Sequence, residues 1–347
     1  MLNPKERVRL ALGGKKPDRP LFCPAIYEHK AKLLGKSPSE VSRSARLLEQ
    51  AVLAEYETYG PDMLTVGIDI YNVEAEALGS NVFFPEAIDA VPVITKRVLS
   101  NLNDTDRLVM VDPESSGRMP LLLEAARGVN DKLGGRVFVR GAISGPHSMA
   151  AELLGLEGLL IGMLEQPDEV DRLLNFCTQV SISYGRAFIK TGVEVCVFDS
   201  YAAPPLVSPQ LYKDLILPHI RKLIGNLKEC GAQFVEYVIG GSTGPIAEHL
   251  FDTGADIVLS DFVSDVKIFL ECAEDSNVLV RRNISPILIE QGPEEELLNQ
   301  TNSVLKLAAN HHGVIVGTGV ISYNTSVEKV LMVKKMFLEP YKEARCE

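Results

Sequence analysis

The chain has 347 residues, 46% of them hydrophobic and 23% charged, which is enough apolar material for a large core and outside the range of disordered chains. A net charge of -11 leaves no basic footprint for a phosphate backbone, so no nucleic-acid partner is expected. No apolar run reaches the roughly 20 residues that cross a bilayer, and the charged start MLNPKERVRLALGGKK lacks the apolar stretch of a secretion signal; the expectation is a cytoplasmic protein with no membrane partner.

In chain order, the first signal is Asn3-Pro4 with Glu6, an N-cap residue ahead of a proline at the first helical position. This helix precedes every strand and reads as an N-terminal extension. Residues 21–26 form the first strand candidate, and Ser37-Pro38 with Glu40 repeats the helix-start signal. A recurring unit then appears, in which a helical run ends at glycine, a short apolar run follows, and an acid stands near its end: Gly60 to Asp69, Gly192 to Asp199, Gly231 to Glu236 and Gly254 to Asp261. Glycine just past a helix supplies a left-handed cap, and continuous β-rich apolar runs are strands buried on both faces of a parallel sheet. Further candidates at 136–143, 277–283 and 313–318 bring the strand count to eight. Ser208-Pro209 opens a helix in which Pro218 predicts a kink. With no low-complexity linker, the reading is one domain over residues 1–347, an α/β fold of the (β/α)8 TIM-barrel type with an N-terminal helical extension.

Chemistry in such barrels sits at the C-terminal strand ends, which gathers Asp69, Asp199, Glu236 and Asp261 around one mouth. The alternative for each acid is a helix N-cap or a loop ion pair. The six cysteines, Cys23, Cys177, Cys196, Cys230, Cys272 and Cys346, have no CxxC or CxC spacing and are expected to be reduced thiols, mostly buried.

Several segments carry a resemblance in order and spacing: NPKERVRLALGGKKPDRP at the start, YGPDMLTVGIDI, RGAISGPHSMA, VFDSYAAPPLVSPQLYKDLILPHIRKL, LSDF and RRNISPILI. Together they are similar to the uroporphyrinogen decarboxylase and corrinoid methyltransferase superfamily, over nearly the whole chain. The resemblance implies a (β/α)8 barrel whose members decarboxylate a tetrapyrrole or move methyl groups to or from a corrinoid (cobalamin) on a partner protein. The decarboxylases carry paired arginines after the first strand and end the last strand in a histidine. Here residues 21–36 hold no arginine, only His29, Lys30, Lys32 and Lys36, and the last strand ends at Gly317-Thr318-Gly319. The thiol methyltransferases bind zinc through His-x-Cys on the fifth strand and Cys on the eighth; the corresponding segments here, FVEYVIGGSTG and the run around Thr318, contain neither residue type, so no sulfur-ligated metal is expected.

The remaining mouth inventory is acidic and hydroxylic, which suits acid–base work or oxygen-ligand metal binding. Glu236, Asp199, Asp69, Tyr237 and His147 are the candidate catalytic set, with Glu236 first as the acid for a leaving group; its structural alternative is an inward carboxylate paired with Arg282. His29, Tyr201, Asp261, Arg282, Asn283 and Thr318 are the candidate substrate contacts. Arg281 and Arg282 point to opposite faces of one strand, so one of them enters the barrel. His219 and His249 read as helix-surface residues, and His311 and His312 as belonging to the opposite barrel end. The leading expectation is methyl transfer from a small methylated, possibly methoxylated aromatic, substrate to a corrinoid protein. The alternatives are a tetrapyrrole decarboxylase and a non-catalytic corrinoid- or tetrapyrrole-binding barrel.

Overall fold

The computed structural model describes residues 2–343 apart from Asp275; Cys346 lies outside the described residues. Eight strands form the barrel: β1 (Leu21–Ala25), β2 (Met63–Val66), β3 (Phe138–Ser144), β4 (Glu194–Phe198), β5 (Val235–Val238), β6 (Ile257–Ser260), β7 (Leu279–Ile284) and β8 (Val314–Val320). Neighbouring strands pair in parallel in the order β1-β8-β7-β6-β5-β4-β3-β2. The ring closes between β1 and β2 through Asp62, whose N–H donates to the Phe22 carbonyl at 2.8 Å while its carboxylate accepts from the Phe22 N–H at 2.7 Å. The (β/α)8 reading of the sequence holds.

The four repeat glycines all have positive φ, between 56° and 103°, a region open to glycine at little steric cost. Each thereby turns a helix end directly into the next strand. Both early helix starts are capping boxes, with Asn3 and Ser37 reciprocating with Glu6 and Glu40. Near Pro218, which has no N–H to give, the helix passes through a π turn over Tyr212–Ile216 before continuing as Leu217–Glu229; the expected irregularity is a widened turn.

Inward side chains alternate along each strand and stack in layers. The lowest layer is apolar, with Leu21, Met63, Phe138, Phe234, Ile257, Leu279 and Ile315 packed on Val8 and Ala11 of the N-terminal helix Pro4–Leu12. That helix is the barrel's floor, and its Arg7 reaches Asp62 at 2.6 Å. The next layer is charged, with Arg140, Glu236 and Arg281, and above it Ala25, Tyr27, Ala142, Phe198, Val238 and Leu259 form a second apolar cluster. One feature is absent from the sequence reading: an antiparallel hairpin, Asn81–Phe83 with Val93–Lys96, inserted between β2 and β3. Among the described residues no single helix is long and apolar enough to cross a membrane; Pro146–Leu154 and Leu156–Glu165 meet the length only as a pair bent by 110°.

Candidate active site

The C-terminal strand ends surround a cavity of about 510 Å³, within the usual range for small-molecule sites. Its lining is mainly apolar and aromatic: Tyr27 and Phe198 meet edge to face with centroids 5.5 Å apart, and Tyr71 stacks on Tyr201 at 5.5 Å. Tyr71 has φ of 81°, the one positive value outside glycine among the described residues. Such a conformation costs on the order of 1–3 kcal/mol. It sets the Tyr71 ring against Tyr201, with its hydroxyl accepting from the Ser200 N–H at 3.1 Å. The hairpin contributes Val93 and Ile94, and Val91 and Pro92 precede them as one wall of the mouth.

Five of the sequence candidates line this cavity: Asp69, Tyr201, Asp261, Asn283 and Thr318. Asp69 lies 2.8 Å from Arg118, yet burial outweighs that partner and pushes its carboxyl up to about 6. Asp261 accepts from Asn283 Nδ2 at 3.0 Å and from the N–H groups of Phe262 and Gly241 at 2.9 Å each. Asn283 keeps its Oδ1 without a partner among the described residues. Thr318 Oγ1 accepts from the Ala25 N–H at 3.0 Å, fastening β8 to β1. Tyr201 donates to Glu152 at 3.0 Å.

The other six stand outside the lining. Glu236 sits mid-strand rather than at a strand end and points into the barrel beneath the cavity, fully buried between Arg140 and Arg281, the latter at 3.2 Å. Its ion-pair partner on β7 is therefore Arg281 rather than Arg282. Arg282, one residue on, faces the other side, where it donates to the carbonyls of Asp261 at 2.6 Å and Ser264 at 2.9 Å. Asp199 is buried at the start of helix Pro146–Leu154 and accepts from the Ser148 N–H at 2.6 Å, so it takes the capping role that Gly145 has no side chain to perform; burial pushes it up to about 6. Tyr237 points away from the barrel axis, next to Tyr212 at 3.3 Å. His147 is fully buried, with neither ring nitrogen partnered among the described residues, and burial holds it down to about 4, in the neutral form. His29 is fixed by Tyr59 at 2.7 Å and the Ser322 carbonyl at 2.9 Å. His219, expected on a helix surface, is buried and lies 2.9 Å from Asp171.

Lysines 30, 32 and 36 do not reach the cavity either. Lys30 is fully buried against Glu55 at 3.1 Å and the Thr65 carbonyl at 2.7 Å, and Lys36 pairs with Glu40. Among the cavity-lining residues the sequence reading passed over are Tyr27, Glu28, Tyr71 and Glu152, and of the two adjacent arginines it chose Arg282 as a substrate contact where Arg281 lines the cavity. Arg281 was the readable one: Asn283 at the mouth fixes the parity of β7, and the residue two positions earlier shares its face.

A thiolate zinc centre does not fit these residues. Among the described residues no three His, Cys, Asp or Glu side chains stand together as metal ligands. The one acid on β5 already answers two guanidiniums, and the end of β8 carries a hydroxyl committed to β1.

Comparison with known proteins agrees with this architecture. Residues 3–337 match the family model described as uroporphyrinogen decarboxylase (URO-D). The chain is 25% identical over 342 residues to the methylcobamide:CoM methyltransferase MtbA of Methanosarcina mazei, covering 95% of this chain and 96% of that protein. It is 26% identical over 290 residues to the uroporphyrinogen decarboxylase of Syntrophotalea carbinolica, covering 81% and 80%. A solved methyltransferase from Methanosarcina mazei superposes with a TM-score of 0.85 at 21% identity, over 97% of this chain and 99% of the other. With the barrel, the mouth and a match spanning nearly every residue, the chain belongs to the uroporphyrinogen decarboxylase family.

Proposed function

We propose that the protein is a corrinoid-dependent methyltransferase, taking a methyl group from a small methoxylated aromatic and passing it to a corrinoid carried by a partner protein. The observation that carries this reading is the charge of the cavity. Among the described residues Arg281 is the one cationic side chain lining it, beside four acids: Glu28, Asp69, Glu152 and Asp261. A tetrapyrrole bearing many carboxylates would find one guanidinium there, and each missing charge-assisted hydrogen bond costs about 1.5–3 kcal/mol. A single ring suits the volume and the aromatic walls better. The name of the M. mazei relative, a methylcobamide:CoM methyltransferase, supports the same class of reaction. Val91, Val93 and Val320 are exposed around the mouth and suit a protein docked over it.

When docked, the corrinoid supplies the acceptor for the methyl group. The work of this chain is to hold the ether, exclude water with the apolar rim, and protonate the oxygen that leaves. Asp69 is the proposed acid: its raised pKa of about 6 keeps a protonated fraction near neutrality. The methyl–oxygen bond breaks with its electron pair remaining on oxygen, the Asp69 proton moves to that oxygen, and Arg118 faces the carboxylate left behind. Tyr201, Asn283 and Thr318 frame the substrate. Asp199, Tyr237, His147, His29, Arg282 and Glu236 hold the frame itself, Glu236 acting through Arg281.

The test mixes the protein with a reduced Co(I) corrinoid protein and a panel of methoxylated aromatics while the cobalt absorption is followed. Loss of the Co(I) spectrum with at least one donor, dependent on the protein, is expected; an unchanged spectrum with every donor contradicts the reading.

A further inference from the structure

Two guanidiniums and one carboxylate occupy the charged layer of the barrel. Arg140 and Arg281 both answer Glu236, while the nearby Lys30 has its own partner in Glu55 at 3.1 Å. One positive charge is therefore left over in a space where Arg281 is 2% exposed and Glu236 not exposed at all. A buried charge without a counterion is costly. Nothing else nearby supplies the missing anion: Tyr27, beside Arg281, is held in its neutral form because burial pushes its hydroxyl up, and Cys196 is likewise pushed up to about 11.

The four acids of the cavity do not fill the role either. Asp69 faces Arg118, Asp261 is turned to three N–H groups and to the charge of Arg282, Glu152 accepts from Tyr201, and burial raises Glu28 toward its neutral form. Arg281 meanwhile lines the cavity and leaves its Nε without a partner among the described residues. Of its terminal N–H groups, one goes to Glu236 and one to the Thr318 carbonyl, each at 3.2 Å. Asn283 Oδ1, also without a partner, lies on the same face of β7. The opposing residue of β8 is Gly317, where a Cβ would stand 2.6 Å from Arg281 Nε and 2.5 Å from Asn283 Oδ1. The backbone has thus been kept bare at the point where those two groups meet.

We propose that Arg281 is the anchor for an anionic group on the small substrate, so that the methyl donor is a methoxylated aromatic acid whose carboxylate sits on Arg281 at the cavity floor and whose ether faces the mouth. This rests on the methyl-transfer reading for the ether but not for the anion. The fixed guanidinium supplies a charge-assisted hydrogen bond and the countercharge that the barrel interior lacks. A neutral ring of the same shape fills the walls and leaves the surplus charge unanswered.

The experiment measures binding by titration calorimetry, without any corrinoid, so that it reads the anchor alone. The ligands are 4-methoxybenzoate and the uncharged 4-methoxybenzamide, against the wild type, Arg281→Gln and Arg281→Lys. Thermal melts of each variant establish that it is folded, and Arg281→Gln leaves Glu236 paired with Arg140. Wild-type protein should bind the acid at least tenfold tighter than the amide. Arg281→Gln should abolish that preference by weakening the acid alone, and Arg281→Lys should restore part of it. Equal affinity for acid and amide in the wild type, or an unchanged preference in folded Arg281→Gln, would overturn the proposal. Tight acid binding with no transfer to a corrinoid protein would leave the anchor standing and remove the methyltransferase reading instead.

Discussion

Asp69 and Asp199 are alike in burial and differ in where they stand. Both carboxyls are pushed up to about 6 by desolvation, but Asp69 lines the cavity and Asp199 does not. For Asp69 as a proton donor, the rate of methyl transfer should fall as pH rises through about 6, because the acid form is the working one. Asp69→Asn should lower kcat roughly 10²- to 10⁴-fold with little change in donor affinity, and the slope on the alkaline side should vanish. A pH–rate profile from 5 to 9 on both proteins checks this; a wild-type profile flat across that range contradicts the assignment. The sequence displayed both acids at the ends of repeat units, and what it could not display was depth. Glu236 stands one position inside its strand rather than after it, so the same acid-after-apolar-run pattern delivered an interior ion pair. Arg281 and Arg282 differ only in parity, which Asn283 settles: Arg282 and Asn283 are neighbours on one strand and cannot both face the mouth.

Among the elements, helix Pro146–Leu154 depends on a cap from another strand. Its own N-cap is Gly145, where a Cβ would come within 2.3 Å of the Asp199 carboxyl, so a glycine here makes room for a borrowed cap. Because the folded pKa of Asp199 lies above the ordinary 3.8, at about 6, its contribution to stability is fully present below pH 3.8 and is lost as pH rises through about 6. The span is worth about 3 kcal/mol. Asp199→Asn keeps an acceptor for the Ser148 N–H and removes the titration, so its melting temperature should fall less than that of the wild type between pH 4 and pH 7. Parallel curves for the two proteins would contradict the claim. The elements themselves were legible wherever glycine, proline and capping residues marked them, because those marks are local. The hairpin over residues 81–96 was not: its strands are short, mostly exposed and separated by a loop containing Pro85 and Pro92, so neither length nor alternation announces them. That loss mattered, since Val93 and Ile94 build part of the cavity wall.

At the scale of the whole molecule, the barrel is a stack of unlike layers. An N-terminal helix and an apolar stratum seal the lower end, a charged stratum with one surplus cation lies above them, and an aromatic cavity opens at the strand ends. The eight-strand ring was legible because parallel strands buried on both faces leave unbroken apolar runs. The charged stratum was only partly legible: Glu236 and one of the adjacent Arg281 and Arg282 were expected inside, whereas Arg140 stands singly within its run and meets them only through closure of the ring. In the proposed function, this stack presents a methyl donor to a docked corrinoid protein rather than gathering the carboxylates of a tetrapyrrole. The most direct measurement supplies methoxybenzoate carrying a trideuteromethyl ether, reduced corrinoid protein and uroporphyrinogen to the protein in one reaction, then follows the deuterium by mass spectrometry. The expected result is label on the corrinoid protein with an equal amount of hydroxybenzoate, and uroporphyrinogen unchanged; coproporphyrinogen appearing while the label stays on the ether would contradict it.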